Sequence, residues 1–168
     1  MGQVNPELEL VRDFVNTLDV ESGTDSLDGW LRTRGLWRPR TSRRDLEQAR
    51  AVREALRDLL RANNGCESDP DASAAVLDAA ARASGVTVSF AGDAVRLVAP
   101  EGGIGPVLAA AGQAILEGSW PRLKACRADT CRWAFVDSAR NRSRQWCSMQ
   151  VCGNREKART FRKRQRRA

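Results

Sequence analysis

Four of the five cysteines form two pairs near the carboxyl end of this 168-residue chain. Cys126 and Cys131 have four residues between them, fifteen residues follow, and Cys147 and Cys152 repeat the first spacing. Two such pairs are typical of two knuckles that bring four thiolates to one tetrahedral Zn²⁺. Four sulfur ligands leave no open coordination position for a reacting water. The spacing therefore predicts a structural zinc site and no zinc-dependent hydrolysis.

The sequence leaves two other uses of the same cysteines open. The pairs could close as two disulfides, or they could hold an iron–sulfur cluster, which also takes four thiolates. Disulfides suit a secreted protein, whereas residues 1–9 lack the basic start and apolar run of a signal peptide. We therefore expect a cytoplasmic protein with reduced thiols and no transmembrane span. Cys66 has no partner at comparable spacing and is expected to be a free thiol.

The chain contains no histidine. This composition excludes Ser-His-Asp and Cys-His catalytic triads, and it excludes the histidine ligands of common zinc, copper and haem sites. Hydrophobic residues make up 42% of the sequence and charged residues 29%, which is enough apolar material for a folded core. We therefore expect a globular binding protein and not an enzyme.

Positive charge is concentrated behind residue 118. Residues 1–118 have 13 arginines against 18 acidic side chains, a net charge of −5, whereas residues 119–168 have 15 Lys and Arg against 3 acidic side chains, a net charge of +12. Such an excess favours a polyanion, because each neutralised phosphate releases a condensed counterion. The expected nucleic-acid contacts are arginines of the loop between the cysteine pairs and cations of a basic helix after the last cysteine: Arg140, Arg142, Arg144, Arg155, Lys157, Arg159, Arg162 and Lys163.

Three side chains in this region have two possible roles each. Trp133 and Phe135 are expected to pack around the zinc, with stacking on unpaired bases as the alternative. Arg155 is assigned equally to a phosphate contact and to fixing the start of the basic helix. The sequence leaves these alternatives open.

The C-terminal residues closely resemble a CGNR zinc finger. The resemblance rests on the two cysteine pairs, on the aromatic residues Trp133, Phe135 and Trp146, and on the tetrapeptide Cys-Gly-Asn-Arg at 152–155. The preceding part, with Phe-Val-Asn-Thr at 14–17 and the segment 31–37, resembles the ABATE domain that usually precedes this finger. This resemblance implies a stress-induced transcription regulator or an RNA-binding zinc-ribbon-like protein.

The elements that would position these residues can be predicted from apolar spacing and capping residues. Helices are expected at about 6–20, 26–34, 42–64, 72–84 and 107–117. Alternating apolar residues on either side of a turn at 91–93 predict a β-hairpin, and all these apolar stripes are expected to form core. Further along the chain we expect a hinge at 118–121, a strand at 132–135, and a helix at 154–165 with Asn154 as its N-cap.

Together these features predict an α+β protein whose N-terminal domain, residues 1–118, is mainly helical with one β-hairpin. Residues 119–168 would form a small four-cysteine zinc-binding finger that ends in the basic helix. The predicted function is nucleic-acid binding, with DNA expected rather than RNA, in a transcription regulator that can form a homodimer through its N-terminal domain and binds no membrane. The alternatives are an RNA-binding protein, a zinc-stabilised module that docks an acidic partner protein, and a redox switch that loses zinc on oxidation.

Overall fold

The computed structural model describes residues 5–37 and 42–165 of the chain. In chain order the elements of the described residues are α1 (Pro6–Val15), α2 (Leu27–Thr33), α3 (Arg43–Ala62), α4 (Pro70–Ala83), β1 (Thr87–Ala91), β2 (Ala94–Val98), α5 (Gly105–Leu116), a 3-10 turn (Trp120–Arg122), β3 (Leu123–Ala125), β4 (Ala134–Val136), a π-helical turn (Met149–Gly153) and α6 (Asn154–Gln165). The strands form two antiparallel pairs, β1 with β2 and β3 with β4. This architecture confirms the predicted fold class, a mainly helical N-terminal part followed by a four-cysteine region that ends in a basic helix. Within the described residues, no helix is both long enough and apolar enough to cross a lipid bilayer.

Polar side chains fix the starts of three N-terminal helices. Asn5 caps α1 and Asp69 caps α4 by accepting the backbone N–H three residues further on, at 2.9 Å and 3.0 Å. Ser42 and Asp45 form a reciprocal capping box on α3, in which each side chain accepts a backbone N–H of the other residue. The helices expected around these residues are present, and α4 starts slightly earlier than predicted because Pro70 suits its first position.

The first helix is shorter than predicted and ends at Val15. The Thr17 hydroxyl donates to the carbonyl of Phe14 at 2.8 Å, and Leu18 pairs with Asp25 in an isolated antiparallel bridge. These contacts turn the chain away from the helix axis. Leu18 nevertheless fits the helical spacing, which is why the apolar pattern continues beyond the helix.

The hairpin of β1 and β2 is confirmed, but most of its apolar residues do not enter the core. Val88 lies opposite Leu97, and Phe90 lies opposite Val95. Leu97 packs against Gly112 of α5, where no room remains for a Cβ atom. The other three side chains are exposed, and Phe90 is 80% exposed. The expectation that every apolar stripe forms core is therefore wrong for the hairpin, because α5 covers only part of this face.

One hydrophobic core joins the N-terminal helices to the second sheet. Phe14, Leu56, Leu123 and Ala134 all belong to the same buried cluster. Within it, β3 packs against α3 and β4 packs against α1. The residues predicted as a hinge include Trp120, whose side chain is also buried in this cluster. The boundary placed between residues 118 and 119 remains a prediction, and it lies within a continuous core.

Candidate metal centre and nucleic-acid interface

The four predicted cysteines are brought together at the end of the second sheet. Their sulfur atoms all lie within 4.8 Å of one another, with Cys147 Sγ at 3.6 Å from Cys131 Sγ and 3.7 Å from Cys152 Sγ. A metal at about 2.3 Å from each of four tetrahedral sulfurs would separate them by about 3.8 Å. The distances are much longer than a disulfide bond of about 2.05 Å. They are also too short to surround several irons, so the site fits a single metal ion.

The first knuckle continues the β3–β4 hairpin. Cys126 directly follows β3, is buried, and donates its backbone N–H to the Trp133 carbonyl at 2.8 Å. The N–H groups of Cys131 and Arg132 both reach the carbonyl of Ala128, at 2.9 Å and 3.1 Å. Arg132 takes a positive φ of 52°, which reverses the chain between the second ligand and β4. The predicted strand at 132–135 therefore starts only at Ala134.

The second knuckle is a tight turn that leads into α6. The Ser148 side chain accepts the N–H of Val151 at 3.3 Å, and the Ser148 carbonyl accepts that of Cys152 at 2.9 Å. Ser148 thus caps the helical segment that Asn154 was predicted to cap, because the π-helical turn joins α6 without a break. A Cβ atom at Gly153 would lie 3.3 Å from Trp146 and would require the side chain of Met149 to move.

The four thiols do not ionise independently. A hydrogen bond from Cys131 lowers the pKa of Cys126 to about 5, and the same interaction raises the pKa of Cys131. Burial, together with the negative charge of Cys126, raises the pKa of Cys147 to about 12. The Cys126 thiolate forms readily, whereas Cys131 and Cys147 resist ionisation, because their negative charges would lie close to that of Cys126. A divalent cation in the middle of the cluster relieves this repulsion, which is the behaviour expected of a metal site.

A buried ion pair that the sequence analysis missed holds the loop between the knuckles. Lys124 Nζ lies 2.7 Å from Asp137 Oδ2, and it also donates to the carbonyls of Arg142 and Arg144. All three ammonium protons therefore have acceptors. Burial alone would raise the pKa of Asp137, but the hydrogen bonds from Lys124 and from the backbone of Ala139 and Arg144 outweigh it and lower that pKa. The sequence did contain a signal for this ion pair. Lys124 stands in an apolar segment, in a chain that has 25 arginines and only three lysines.

Three asparagines attach this region to the N-terminal helices. Asn16 follows α1, donates to the Ala134 carbonyl at 2.9 Å and accepts the Ala134 N–H at 2.7 Å. Asn63 donates to the carbonyls of Trp120 and Leu123, at 3.1 Å and 2.9 Å. Asn64 donates to the carbonyls of Ala125 and Gln145, both at 2.8 Å. These three side chains thus bond to backbone groups of the C-terminal part, most of which lie in or next to β3 and β4.

The eight predicted nucleic-acid contacts fall into two groups. Arg144 donates to the carbonyls of Trp146 and Cys147, Arg155 pairs with Glu21 at 2.8 Å, and Arg159 lies 3.7 Å from Glu156. The other five side chains are exposed and have no hydrogen bond or ion pair with any described residue: Arg140, Arg142, Lys157, Arg162 and Lys163. The structure therefore leaves these five cations available to a ligand.

The aromatic residues of the finger differ in exposure. Phe135 is 5% exposed, and the guanidinium of Arg144 lies 4.7 Å from the centre of its ring. Trp146 is half-buried beside Gly153. Trp133 is 39% exposed and lines the same cleft as the metal-site residue Cys147. Packing therefore accounts for Phe135, whereas Trp133 keeps a free surface.

Family comparisons agree with this arrangement. Residues 122–165 match the CGNR zinc finger, and residues 8–120 match the ABATE model, whose description reads "Putative stress-induced transcription regulator". The chain belongs to the ABATE family. Comparison with the curated proteins found no match.

The geometry explains the tetrapeptide by which the finger of this ABATE protein is recognised. Cys152 supplies one of the four sulfurs, and Gly153 leaves room for the side chains of the same knuckle. Arg155 reaches Glu21 in the segment between α1 and α2, so it fastens the start of α6 to the N-terminal part. Both side chains of this ion pair are about half exposed, and the phosphate contact of Arg155 stays a prediction.

The four residues at 14–17 of the ABATE part are explained in the same way. Phe14 and Val15 are fully buried in the core. Asn16 holds the backbone of β4, and the Thr17 hydroxyl accepts a hydrogen bond from Arg53 at 3.2 Å. This segment therefore links the N-terminal core to the finger.

Proposed function

We propose that this ABATE protein is a nucleic-acid-binding transcription regulator whose finger is held in shape by one Zn²⁺. The observation that carries the proposal is the set of five exposed cations without partners among the described residues. They belong to the loop between the knuckles, whose two ends lead to the metal site, and to α6, which starts beside that site. Arginine and lysine in this setting suit phosphate, since their charge is not already neutralised by the protein.

Zinc has a structural role in this proposal. It would bind Cys126, Cys131, Cys147 and Cys152, and its binding energy would hold together a segment too small to fold on its own apolar contacts. A Zn²⁺ with four sulfur ligands has no vacant position for substrate or water. We therefore propose a binding role and not an enzymatic one.

The proposed contacts act mainly on phosphate and so predict strong dependence on salt. Arg140 and Arg142 are four and two residues from Arg144, whose own side chain is held by backbone carbonyls. Removal of one phosphate-binding side chain should reduce the slope of log K against log salt concentration by about 0.9 on duplex DNA. DNA is proposed as the target, and RNA is tested beside it.

Two double variants with the same loss of charge test the proposal. R140A/R142A removes two free loop cations, and R82A/R96A removes two exposed arginines of the N-terminal part. Binding to a duplex of about 20 base pairs is measured between about 50 and 200 mM salt, with RNA of the same sequence and polyglutamate as parallel probes. We expect the slope to fall by about 1 to 2 for the loop variant only. Equal effects of both variants, or preference for polyglutamate, would contradict a nucleic-acid interface at this loop.

The metal content of the purified chain tests the proposed zinc site. Mass spectrometry should find one zinc per chain in the wild type, none in Cys147→Ser, and an unchanged amount in Cys66→Ser. Cys66 is the matched control, because it lies outside the cluster of sulfur atoms. A chain isolated with one iron would show the same site holding a different metal.

A further inference from the structure

A cleft of about 660 Å³ opens between the N-terminal helices and the finger. α1 and α2 supply one side of it through Arg12, Asp13 and Trp30, and β4 with the residue before it supplies the other. Arg144 of the loop and Cys147 of the metal site also line the cleft. Neither family segment forms this cleft alone, so it exists only while the finger is docked.

The lining combines a flat apolar surface with positive charge. Trp133 is the half-exposed aromatic residue of the cleft, whereas Phe135 is covered by Arg144 and Trp30 packs 5.6 Å from Phe14, centre to centre. The negative charge of Asp13 is compensated by ion pairs at 2.8 Å with Arg12 and with Arg34. Arg12 also pairs with Glu9 at 3.3 Å, so the positive charge of the lining that has no acidic partner is that of Arg144. A planar aromatic group attached to an anion fits both properties.

We propose that this cleft receives an unpaired nucleobase of the bound nucleic acid, stacked on Trp133. The inference rests on the proposed function and specifies the form of its ligand. Trp133 lines an open cleft between two parts of the fold, and a base within a duplex has both faces covered by its neighbours. Only a base that has left the stack can present a face to the indole.

The position of the loop supports a continuous path for one strand. The loop leaves β4 after Val136, at the end of the strand away from Trp133, and returns to the cleft at Arg144. Arg140 and Arg142 extend from the same loop with free side chains. A strand with one base on Trp133 would thus meet Arg144 at the cleft and continue along the loop towards Arg140 and Arg142, as strands follow the basic grooves that bind them.

The test compares single strands with a duplex of the same sequence. Oligonucleotides of about 12 nucleotides, as single-stranded DNA, single-stranded RNA and duplex DNA, are titrated with the full chain by fluorescence anisotropy. We expect Trp133→Ala to weaken single-strand binding by about 10-fold and Trp133→Phe by much less, with duplex affinity unchanged. Leu116→Ala, which removes a large exposed apolar side chain from the end of α5, is the matched control and should change nothing.

A measurement on the wild-type chain covers the case in which Trp133→Ala fails to fold. A single strand that contains 5-iodouracil is irradiated in complex with the protein, and mass spectrometry maps the cross-linked residue. Cross-linking at Trp133 supports the inference, with DNA or RNA identified by the arm that binds more tightly. Equal loss of single-strand and duplex affinity, or cross-links confined to α6, would overturn the base site while leaving the proposed function intact. Absence of salt-dependent binding to every nucleic acid would instead refute the proposed function itself.

Discussion

The carboxylate of Asp25 connects its own segment to α3 and to the start of α2. It accepts hydrogen bonds from Arg53 at 2.8 Å and from Arg50 at 3.2 Å, both on α3. It also accepts the N–H of Leu27 at 3.1 Å, at the start of α2. Burial alone would raise the pKa of Asp25, but the hydrogen bond and positive charge of Arg53 outweigh it, and the pKa is lowered.

The lowered pKa gives a prediction for stability against pH. The carboxylate stabilises the fold above its unfolded pKa of about 3.9, and the contribution disappears as pH falls through the lower pKa of the folded state. Asp25→Asn should therefore cost about 1–3 kcal/mol at pH 7, and its difference from the wild type should close on acidification. Urea unfolding at several pH values measures the difference, with the exposed Asp78→Asn as control. A gap that stays constant at low pH would contradict the role of the charge.

Between elements, Asn16 takes the place of a neighbouring strand. Its amide both donates to Ala134 and accepts from Ala134, the hydrogen-bond pattern that a second strand would offer to β4. Ala134 is buried, so water cannot replace these contacts easily. The end of α1 is thereby fastened to the finger by one side chain.

Removal of that side chain should loosen the contact between α1 and β4. Asn16→Ala leaves two buried backbone groups unpaired and should lower the free energy of unfolding by about 1–3 kcal/mol. Asn16→Asp keeps the acceptor and loses the donor, so its loss should be intermediate. Denaturant unfolding gives the energies, and hydrogen exchange at the Ala134 amide locates the effect. If the Ala134 amide in Asn16→Ala exchanged at the wild-type rate, this role of Asn16 would be refuted.

Elements with local signals could be predicted from the sequence, and those fixed by distant contacts could not. The capping box of Ser42 and Asp45 defines α3 within a single stretch of chain, and equal spacing identifies the four cysteines. By contrast, Lys124 and Asp137 meet only when β3 pairs with β4, and neither has a periodic signature. The exposure of the β1–β2 hairpin likewise depends on how far α5 extends across it. The alternation of apolar residues cannot predict that extent.

At the scale of the whole chain, metal and N-terminal fold should be thermodynamically coupled. Leu123, Ala125 and Ala134 belong to the finger and lie in the common core, so a finger that loses its metal uncovers α1 and α3 as well. Chelation should therefore lower the midpoint of helix melting, followed by circular dichroism at 222 nm, and added zinc should restore it. The chelator should leave a Cys147→Ser variant unchanged. An unaltered midpoint in the wild type would indicate two independent folding units.

The exposed β1–β2 hairpin offers a surface for the homodimer predicted from the sequence. Val88, Phe90 and Val95 form an apolar face, and each of the two strands is an edge that a second copy could extend. Phe90→Asp should convert a dimer to a monomer in sedimentation equilibrium. Phe161→Asp on α6 is the matched control, because Phe161 is similarly exposed. A wild-type chain that sediments as a monomer would remove the dimer from consideration.

The asparagine contacts have a consequence for how such chains can evolve. A finger joined by recombination to an unrelated domain would arrive without partners for the backbone of Leu123, Ala125 and Ala134, and with its apolar β3–β4 hairpin in water. A new host domain would have to supply both side-chain amides for this backbone and an apolar surface that covers the hairpin. Exchange between relatives that keep the asparagines faces no such barrier, so the two segments are expected to be inherited together.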